Sequence, residues 1–341
     1  METVTPYLRN VALGSALSTA PRDDLNKLMS LLLRLDGVRG LSFGGQGWSS
    51  LTEASTRSLF KPGGNLFQNV TTLHLKHLQF TSFSLLATFV GGVSMLNDLS
   101  FDDVTWDLVD RQLCIPPPRL VRLHIRSSLV PILDWLFGSG DSMGSQEPPS
   151  LRALSIPEVD PHELHTVGRV LRVLGSSLQH LDVGFPTHGR DNADMGNISD
   201  VINLSHNQNL RTIHIRHLTL YQFPHPVRTY SLIAPTGGED EPELSNSPFC
   251  WLPPFLSNVS SPAISELVLY IWLSDERHLD LIDWPALTGV LNKSVFASLK
   301  SIQYRVSGLG AGRGDVQSWL LARLSGWKAF ENTVQITFEA P

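Results

Sequence analysis

Val70-Thr-Thr-Leu73-His-Leu75-Lys-His-Leu78-Gln-Phe80 and Leu96-Asn-Asp-Leu99-Ser-Phe101-Asp-Asp-Val104-Thr-Trp106 are two statements of one phrase. An apolar residue is followed by two variable residues, then Leu, one variable residue and a second apolar residue. Working outward, the phrase precedes this pair at Leu8 to Leu13 and at Val38 to Phe43. It follows them from Leu120, Leu151, Leu178, Leu210, Ile264 and Leu299, and returns in looser form from Asn332 to Ile336. Alternating apolar and variable residues are the pattern of a half-buried strand.

With the fourth residue of each phrase as the mark, the intervals are 30, 32, 26, 24, 31, 27, 32, 54, 35 and 32 residues. Leucine-rich repeats run from about 20 to about 29 residues, so these units are long and irregular. Between the phrases lie segments with helical spacing. The clearest runs from Pro161 to Gly175, with Leu164, Val167, Val170, Leu171 and Leu174 on one face. Its Pro suits a first turn and its Gly suits the stop. Further helices are expected over 22–35, 83–90, 129–137, 198–204, 284–291 and 316–324. The fold class that follows is α/β: a leucine-rich-repeat-like solenoid, or horseshoe, with parallel strands on the concave face and helices on the convex face. Residues 1–341 are expected to form a single irregular array of eleven units, with 221–262 an insertion or a degenerate repeat. A solenoid presents a binding surface rather than an active-site pocket.

Composition bounds the function. Hydrophobic residues make up 42% of the 341, enough for a continuous core. A formal charge of −6 argues against a dedicated nucleic-acid binder. No apolar run reaches the roughly 18 residues that a membrane span requires. Met1-Glu-Thr-Val-Thr-Pro-Tyr7 has no basic segment leading into a hydrophobic one, so no secretory signal is expected. Cys114 and Cys250 are the only cysteines, far apart and without metal-ligand spacing. That usage suits a reducing compartment, cytoplasmic or nuclear.

Strand periodicity puts two columns of residues on the face away from the core. The first includes His74, Ser100, His124, Ser155, Asp182, His214, Val268 and Gln303. The second includes Lys76, Asp102, Arg126, Gly184, Arg216, Tyr270 and Arg305. The candidate binding residues are Lys76, Arg122, His124, Arg126, His214, Arg216 and Arg305. Basic residues gathered on one face of an acidic chain suit an acidic or phosphorylated protein partner. The plainer reading is a solvated strand face, since exposed charge is ordinary.

Other motifs carry less. His74, His124 and His214 share a register, but strands stand about 4.8 Å apart and intervening strands separate them, so no metal site is expected. His74/His77 and His214/His217 lie three residues apart, which predicts opposite faces of a strand. His162-Glu-Leu-His165 misses the His-Glu-x-x-His spacing by one residue and reads as the polar start of a helix. Ser307-Gly-Leu-Gly-Ala-Gly-Arg-Gly314 lies between a strand and a helix, where a nucleotide-binding enzyme would need it. Its spacing fails at Arg313, and no Gly-Lys-Ser/Thr follows. With no catalytic constellation, the expectation is a non-enzymatic chain without a cofactor.

Three segments break the rhythm: 138–150, 186–197 and 221–262. The last holds acidic Glu239-Asp240-Glu241 and then Phe249-Cys250-Trp251-Leu252-Pro-Pro-Phe255-Leu256, which reads as an irregular repeat or a docking segment. The first phrase begins at Leu8 with almost no cap before it. Solenoids need polar caps, which predicts a fragment of a longer protein or an edge covered by a partner.

Val70 to Phe80, Phe83-Ser-Leu-Leu-Ala-Thr-Phe-Val90 and Leu96 to Trp106 together resemble the leucine-rich-repeat-like C-terminal regions of fungal, mushroom-type F-box proteins. The resemblance spans roughly Leu8 to Phe338. It implies a substrate receptor for a ubiquitin ligase, in which an N-terminal F-box recruits the ligase adaptor. With the first phrase at Leu8, no F-box is expected ahead of the repeats in this sequence. Trp251 to Leu256 resembles an F-box opening, but the helices that should follow are missing.

Overall fold

The computed structural model describes residues 9–13, 37–45, 67–110, 114–138, 150–185, 198–220, 249–308, 313–324 and 334–338. The helix expected over 22–35, the breaks at 139–149 and 186–197, the acidic stretch within 221–248 and the loop residues 309–312 lie outside them. The described residues form an α/β repeat array of the leucine-rich-repeat kind. They divide into two compact units, Met1–Ile156 and Pro157–Pro341.

In the first unit the strands are β1 (Asn10–Leu13), β2 (Gly40–Gly44), β3 (Thr72–Ser82), β4 (Asp98–Leu108), β5 (Arg122–Arg126) and β6 (Ala153–Ile156). They pair in parallel and in sequence order, with Val11, Leu41, Leu73, Leu99, Leu123 and Leu154 opposite one another. These are the fourth residues of successive phrases. Leu41, Leu73, Leu99, Leu123 and Leu154 are all buried. Helices α1 (Phe83–Gly91) and α2 (Leu129–Phe137) return the chain and pack their apolar sides against the buried face of the strands. Phe89 of α1 meets Phe43 of β2 edge to face at 5.7 Å, and Phe83 meets Trp106 at 5.1 Å. Ser82 caps α1 by accepting from the Leu85 amide, which satisfies one of the orphan donors of the first turn.

The second unit repeats the plan. Its strands are β7 (His180–Gly184), β8 (Thr212–Leu220), β9 (Glu266–Leu273), β10 (Ser301–Ser307) and β11 (Val334–Phe338). Leu181, Ile213, Leu267, Ile302 and Val334 stand in one register. Its helices are α3 (Leu164–Leu174), α4 (Ile198–Val201), α5 (Leu252–Ser257), α6 (Trp284–Leu291) and α7 (Arg313–Arg323). The five apolar residues assigned to one face of α3 are buried. A short 3-10 turn from Pro161 to Glu163 leads into it, with Asp160 and Glu163 forming a capping box. That box is the use made of the polar run around His162.

A backbone device joins successive repeats. The carbonyl two residues before each mark accepts both amides that open the next strand. Arg39 O receives Thr71 N and Thr72 N, at 2.8 and 3.0 Å. Thr71, Asn97 and Val121 do the same in the first unit, and Gln179, Arg211 and Ser265 in the second. The entries of β2 to β6 and of β8 to β10 therefore depend on the repeat before them.

Phe249 to Leu256 is built into the second unit. Phe249, Trp251, Leu252, Phe255 and Leu256 are buried, and Phe185 meets Trp251 and Phe255 at 5.0 and 6.1 Å. Strands β8 and β9 pair directly despite the 54 residues between their marks. The aromatic run includes helix α5, which precedes β9 in the chain.

The expectation for His77 and His217 is corrected. His77, Asp103 and His217 have φ of 51°, 54° and 60°, the left-handed region. One such residue after the second outward column adds a step to the strand. Leu78, Val104 and Leu218 then turn inward, and Lys76 and His77 are both exposed. Because β3 and β4 carry the step at the same place, Leu78 still pairs with Val104. Strand β9 lacks it, so the β8–β9 register shifts between Ile215 and Leu218, as a β-bulge does.

Asn207 is fully buried, and its amide Nδ2 donates to Leu171 O and Gly175 O, both at 2.9 Å. Gly175 O lies past the last turn of α3, where the helix supplies no donor, and Leu171 O also accepts from the Gly175 amide. Asn207→Ala is expected to cost about 1–3 kcal/mol, read as an earlier urea midpoint. An unchanged midpoint would show that those carbonyls find other partners.

Candidate functional site

Each unit has a strand face that its described helices leave uncovered, and the seven candidate residues lie there in two groups. Lys76, Arg122, His124 and Arg126 belong to the first unit, and His214, Arg216 and Arg305 to the second.

In the first unit the pairing register sets up rows across neighbouring strands. One row is Lys76, Asp102 and Arg126. Asp102 stands between the two cations, 3.3 Å from Lys76 Nζ and 3.9 Å from an Arg126 nitrogen. Four residues earlier on each strand, Arg122 Nε donates to Asp98 at 2.9 Å. In the row between, His124 Nδ1 lies 2.9 Å from Ser155 Oγ. The cations that looked like a basic patch are thus interleaved with carboxylates of the adjacent strand. Arg122 and Arg126 are more than half exposed, and pairs of that kind are worth about 0–1 kcal/mol each. Here they neutralise the face more than they stabilise the fold.

The second unit is different. Its corresponding row is Gly184, Arg216, Tyr270 and Arg305. Arg305 is opposite Tyr270 in the ladder, and the β8 bulge puts Arg216 beside it. The guanidinium carbons of Arg216 and Arg305 lie 4.3 and 5.1 Å from the Tyr270 ring centroid, both within cation–π range. Arg216 Nε also donates to Asp182 Oδ1 at 2.7 Å. Four residues before Tyr270, Glu266 accepts from Gln303 Nε2 at 2.9 Å. Two residues after it, Trp272 leaves 42% of its surface exposed.

Gly308 makes the seat for Trp272. A β-carbon there would fall 2.6 Å from Leu273 O and 2.7 Å from the indole Nε1, at a φ of +94°. The first glycine of the Gly-rich segment is therefore committed to carrying the indole.

His214 stands one row earlier, its ring 6.1 Å from Tyr270. Burial holds its pKa below the ordinary value, outweighing the neighbouring Asp182 carboxylate that pulls the other way. Among the described residues its Nε2 is buried and meets no hydrogen-bond partner. His180 is lowered as well, by burial first and by Arg211 second.

Tyr270 and Asp182 stand in the outward columns legible in the sequence, yet attention to charge alone passes over the ring that organises the arginines. Trp272 is found by extending the same alternation one step. The partners of Arg122 and Arg126 are also legible, as Asp98 and Asp102 at the matching places of the preceding phrase.

Elsewhere, ligand atoms of Asp160, His162 and Glu163 lie within 4.8 Å of one another, but Asp160 and Glu163 form the capping box. Cys114 and Cys250 are free thiols. Among the described residues no helix is long and apolar enough to cross a membrane.

No family model matches the sequence, and no curated protein matches it. Among solved structures the chain is similar to one described as the crystal structure of the Rad7 and Elc1 complex in yeast. The identity is 12% and the TM-score 0.42, over 96% of this chain and 75% of that one.

Two outcomes follow from this geometry. Gly308→Ala is expected to cost about 1 kcal/mol or more, because the new methyl meets both strained backbone and the indole. The cost should shrink in a Trp272→Ala background, and an equal cost in both would detach Gly308 from the indole. The histidines set a pH dependence. The folded chain holds His214 and His180 below 6.5, so below that pH the unfolded chain binds more protons. Their contribution to stability is whole above that value and is lost as pH falls toward the depressed folded pKa values. His214→Gln should therefore narrow the difference in thermal midpoint between about pH 8 and about pH 5.5. An undiminished difference would remove His214 as a source.

Proposed function

We propose that the chain is a non-enzymatic protein-interaction module that binds its partner on the uncovered strand faces. The observation that carries this reading is the row Arg216–Tyr270–Arg305, with Trp272 beside it. Arginine, tyrosine and tryptophan are the residue types that dominate binding energy at protein interfaces. Here they stand together on the neighbouring strands β8, β9 and β10, with Arg216 brought to Tyr270 by the β8 bulge.

The finer form of the proposal draws on the resemblance of Val70 to Trp106 to the repeat regions of F-box proteins. In that form the module is part of a substrate receptor, and its partner is a protein marked for a ubiquitin ligase. A cation-bearing face suits an acidic or phosphorylated partner.

The experiment is an affinity pull-down with mass spectrometry, using the full chain as bait in its own cell extract. Arg126→Glu combined with Arg216→Glu serves as the comparison bait. Partners retained by the wild type and lost by the variant are the expected result. Equal retention of every partner would remove the strand faces as the binding site. A bait that retains nothing specific would favour a fragment that folds without a partner. Recovery of a ubiquitin-ligase adaptor would support the receptor form.

A further inference from the structure

The helical side of the second unit holds an open cavity of about 680 Å³. Its walls are the end of the 3-10 turn Glu276–Leu281, the residues that follow it, α6 and the last residue of α7. No strand residue lines it. The volume is within the range of about 300–1,000 Å³ that binding pockets occupy.

Gly289 lines this cavity from the middle of α6. Glycine is unfavourable inside a helix, where alanine is the preferred small residue. Other helical glycines of the chain are used for close packing. A β-carbon at Gly91 would fall 2.7 Å from Ile115 O, and one at Gly168 would run into Val201 O. At Gly289 the same β-carbon meets nothing within 4 Å among the described residues. The missing side chain admits no described neighbour of this chain, and what it does is hold the cavity open.

The lining also has a sign. Pro285 and Gly289 are exposed and one turn apart on α6, which makes a smooth ledge along the cavity. Asp283 stands at the start of that helix, where it accepts from Ala286 N at 2.9 Å. Asp280 lines the cavity beside it and is mostly exposed. The cation among the lining residues is Arg323, which is bonded to Asp280 and lies 5.0 Å from the Trp319 ring centroid. An anion entering the cavity would meet a guanidinium that already has a carboxylate. A cation would meet two carboxylates.

We propose that the cavity docks a lysine-bearing segment of a partner protein, with the alkyl stem along Pro285 and Gly289 and the ammonium at Asp283 and Asp280. Lysine suits the ledge because its stem is apolar and its charge sits at the tip. One helical turn rises about 5.4 Å, close to the reach of a four-carbon stem. A stem laid from Gly289 toward the start of α6 therefore delivers its charge to the carboxylates. The cavity is larger than one side chain, and the volume walled by Ile282 and Trp284 suits the apolar neighbours of that lysine. Matching charge across the contact selects such a segment over acidic ones. The inference goes beyond the strand-face reading, because it adds a contact on helices whose partner chemistry is opposite in sign.

The test uses the full chain as bait for phage-displayed random peptides, with Gly289→Leu as the counter-bait. The leucine fills the cavity and has no described neighbour to displace. Peptides with a lysine beside apolar residues are expected on the wild type and not on the counter-bait. Asp283→Asn retains a side chain able to cap α6 while removing its charge. It should lower retention of those peptides about tenfold, as the loss of a charge-assisted contact does. Replacing the peptide's lysine with norleucine should do the same. Gly289→Ala should raise the thermal midpoint, because alanine favours the helix. Arg126→Glu with Arg216→Glu should leave retention unchanged. Thermal melts of each variant separate loss of binding from loss of fold, and Asp283→Asn replaces Gly289→Leu as counter-bait if the latter melts early.

Enrichment of no lysine peptides over the counter-bait, or of acidic peptides in their place, would overturn the inference. So would a lower midpoint for Gly289→Ala, which would show that the chain itself uses the space. Loss of the peptides with Arg126→Glu plus Arg216→Glu would place them on the strand faces and end the inference while leaving that reading standing. A wild-type dimer abolished by Gly289→Leu would give the cavity to a second copy and end it as well.

Discussion

Strands β2 to β6 in the first unit and β8 to β10 in the second begin on a carbonyl that belongs to the previous repeat. That one acceptor, taking two amides, ties the entry of each of these strands to the strand before it, and the leucine register follows. A repeat of this kind has no core of its own, because its apolar side is buried only by its neighbours. The consequence for function is that outward side chains fall into rows whose order is set by backbone pairing rather than by their own chemistry. A substitution on the uncovered face changes what the row can bind without disturbing the ladder beneath it.

The left-handed residues at 77, 103 and 217 modify this plan locally. Between β3 and β4 the steps coincide and the ladder continues past them. Between β8 and β9 only one strand carries the step, and the mismatch appears as a bulge at Arg216 and His217. A bulge re-aims the side chains it contains. In this chain it brings Arg216 over Tyr270 while Leu218 returns to the core. The departure from strict alternation is thus the feature that assembles the aromatic and basic row.

Charge behaves differently in the two units although the sequence supplies similar residues to both. Lys76, Arg122 and Arg126 meet Asp102 and Asp98 on the adjacent strand β4, so carboxylates of their own face offset most of their charge. Arg216 and Arg305 meet the ring of Tyr270, and Arg216 is also paired with Asp182 of the neighbouring row. Net charge over the whole chain says nothing of this contrast. It depends on which residue type occupies the middle strand of a row.

The sequence by itself determined the architecture. The phrase with Leu, Ile or Val at its fourth position marks every described strand, and the buried face of α3 was legible residue by residue. This succeeds because a repeat folds on local alternation and on contacts with adjacent repeats, both written in short stretches of chain. The outward columns, with Asp102, Tyr270 and Arg305 in them, were legible for the same reason. Tertiary structure decided the rest. Only pairing across strands shows that Asp102 stands between Lys76 and Arg126, or that Tyr270 stands between two arginines. Only the backbone angles reveal the steps at His77 and His217, since a left-handed histidine leaves no mark in a hydrophobic pattern. The role of Gly308 beneath Trp272 was hidden for a related reason: a glycine's use depends on the neighbour its missing side chain admits. Alternation along one strand is a property of the sequence, whereas the neighbour across the ladder depends on register, which exists only once the chain has folded.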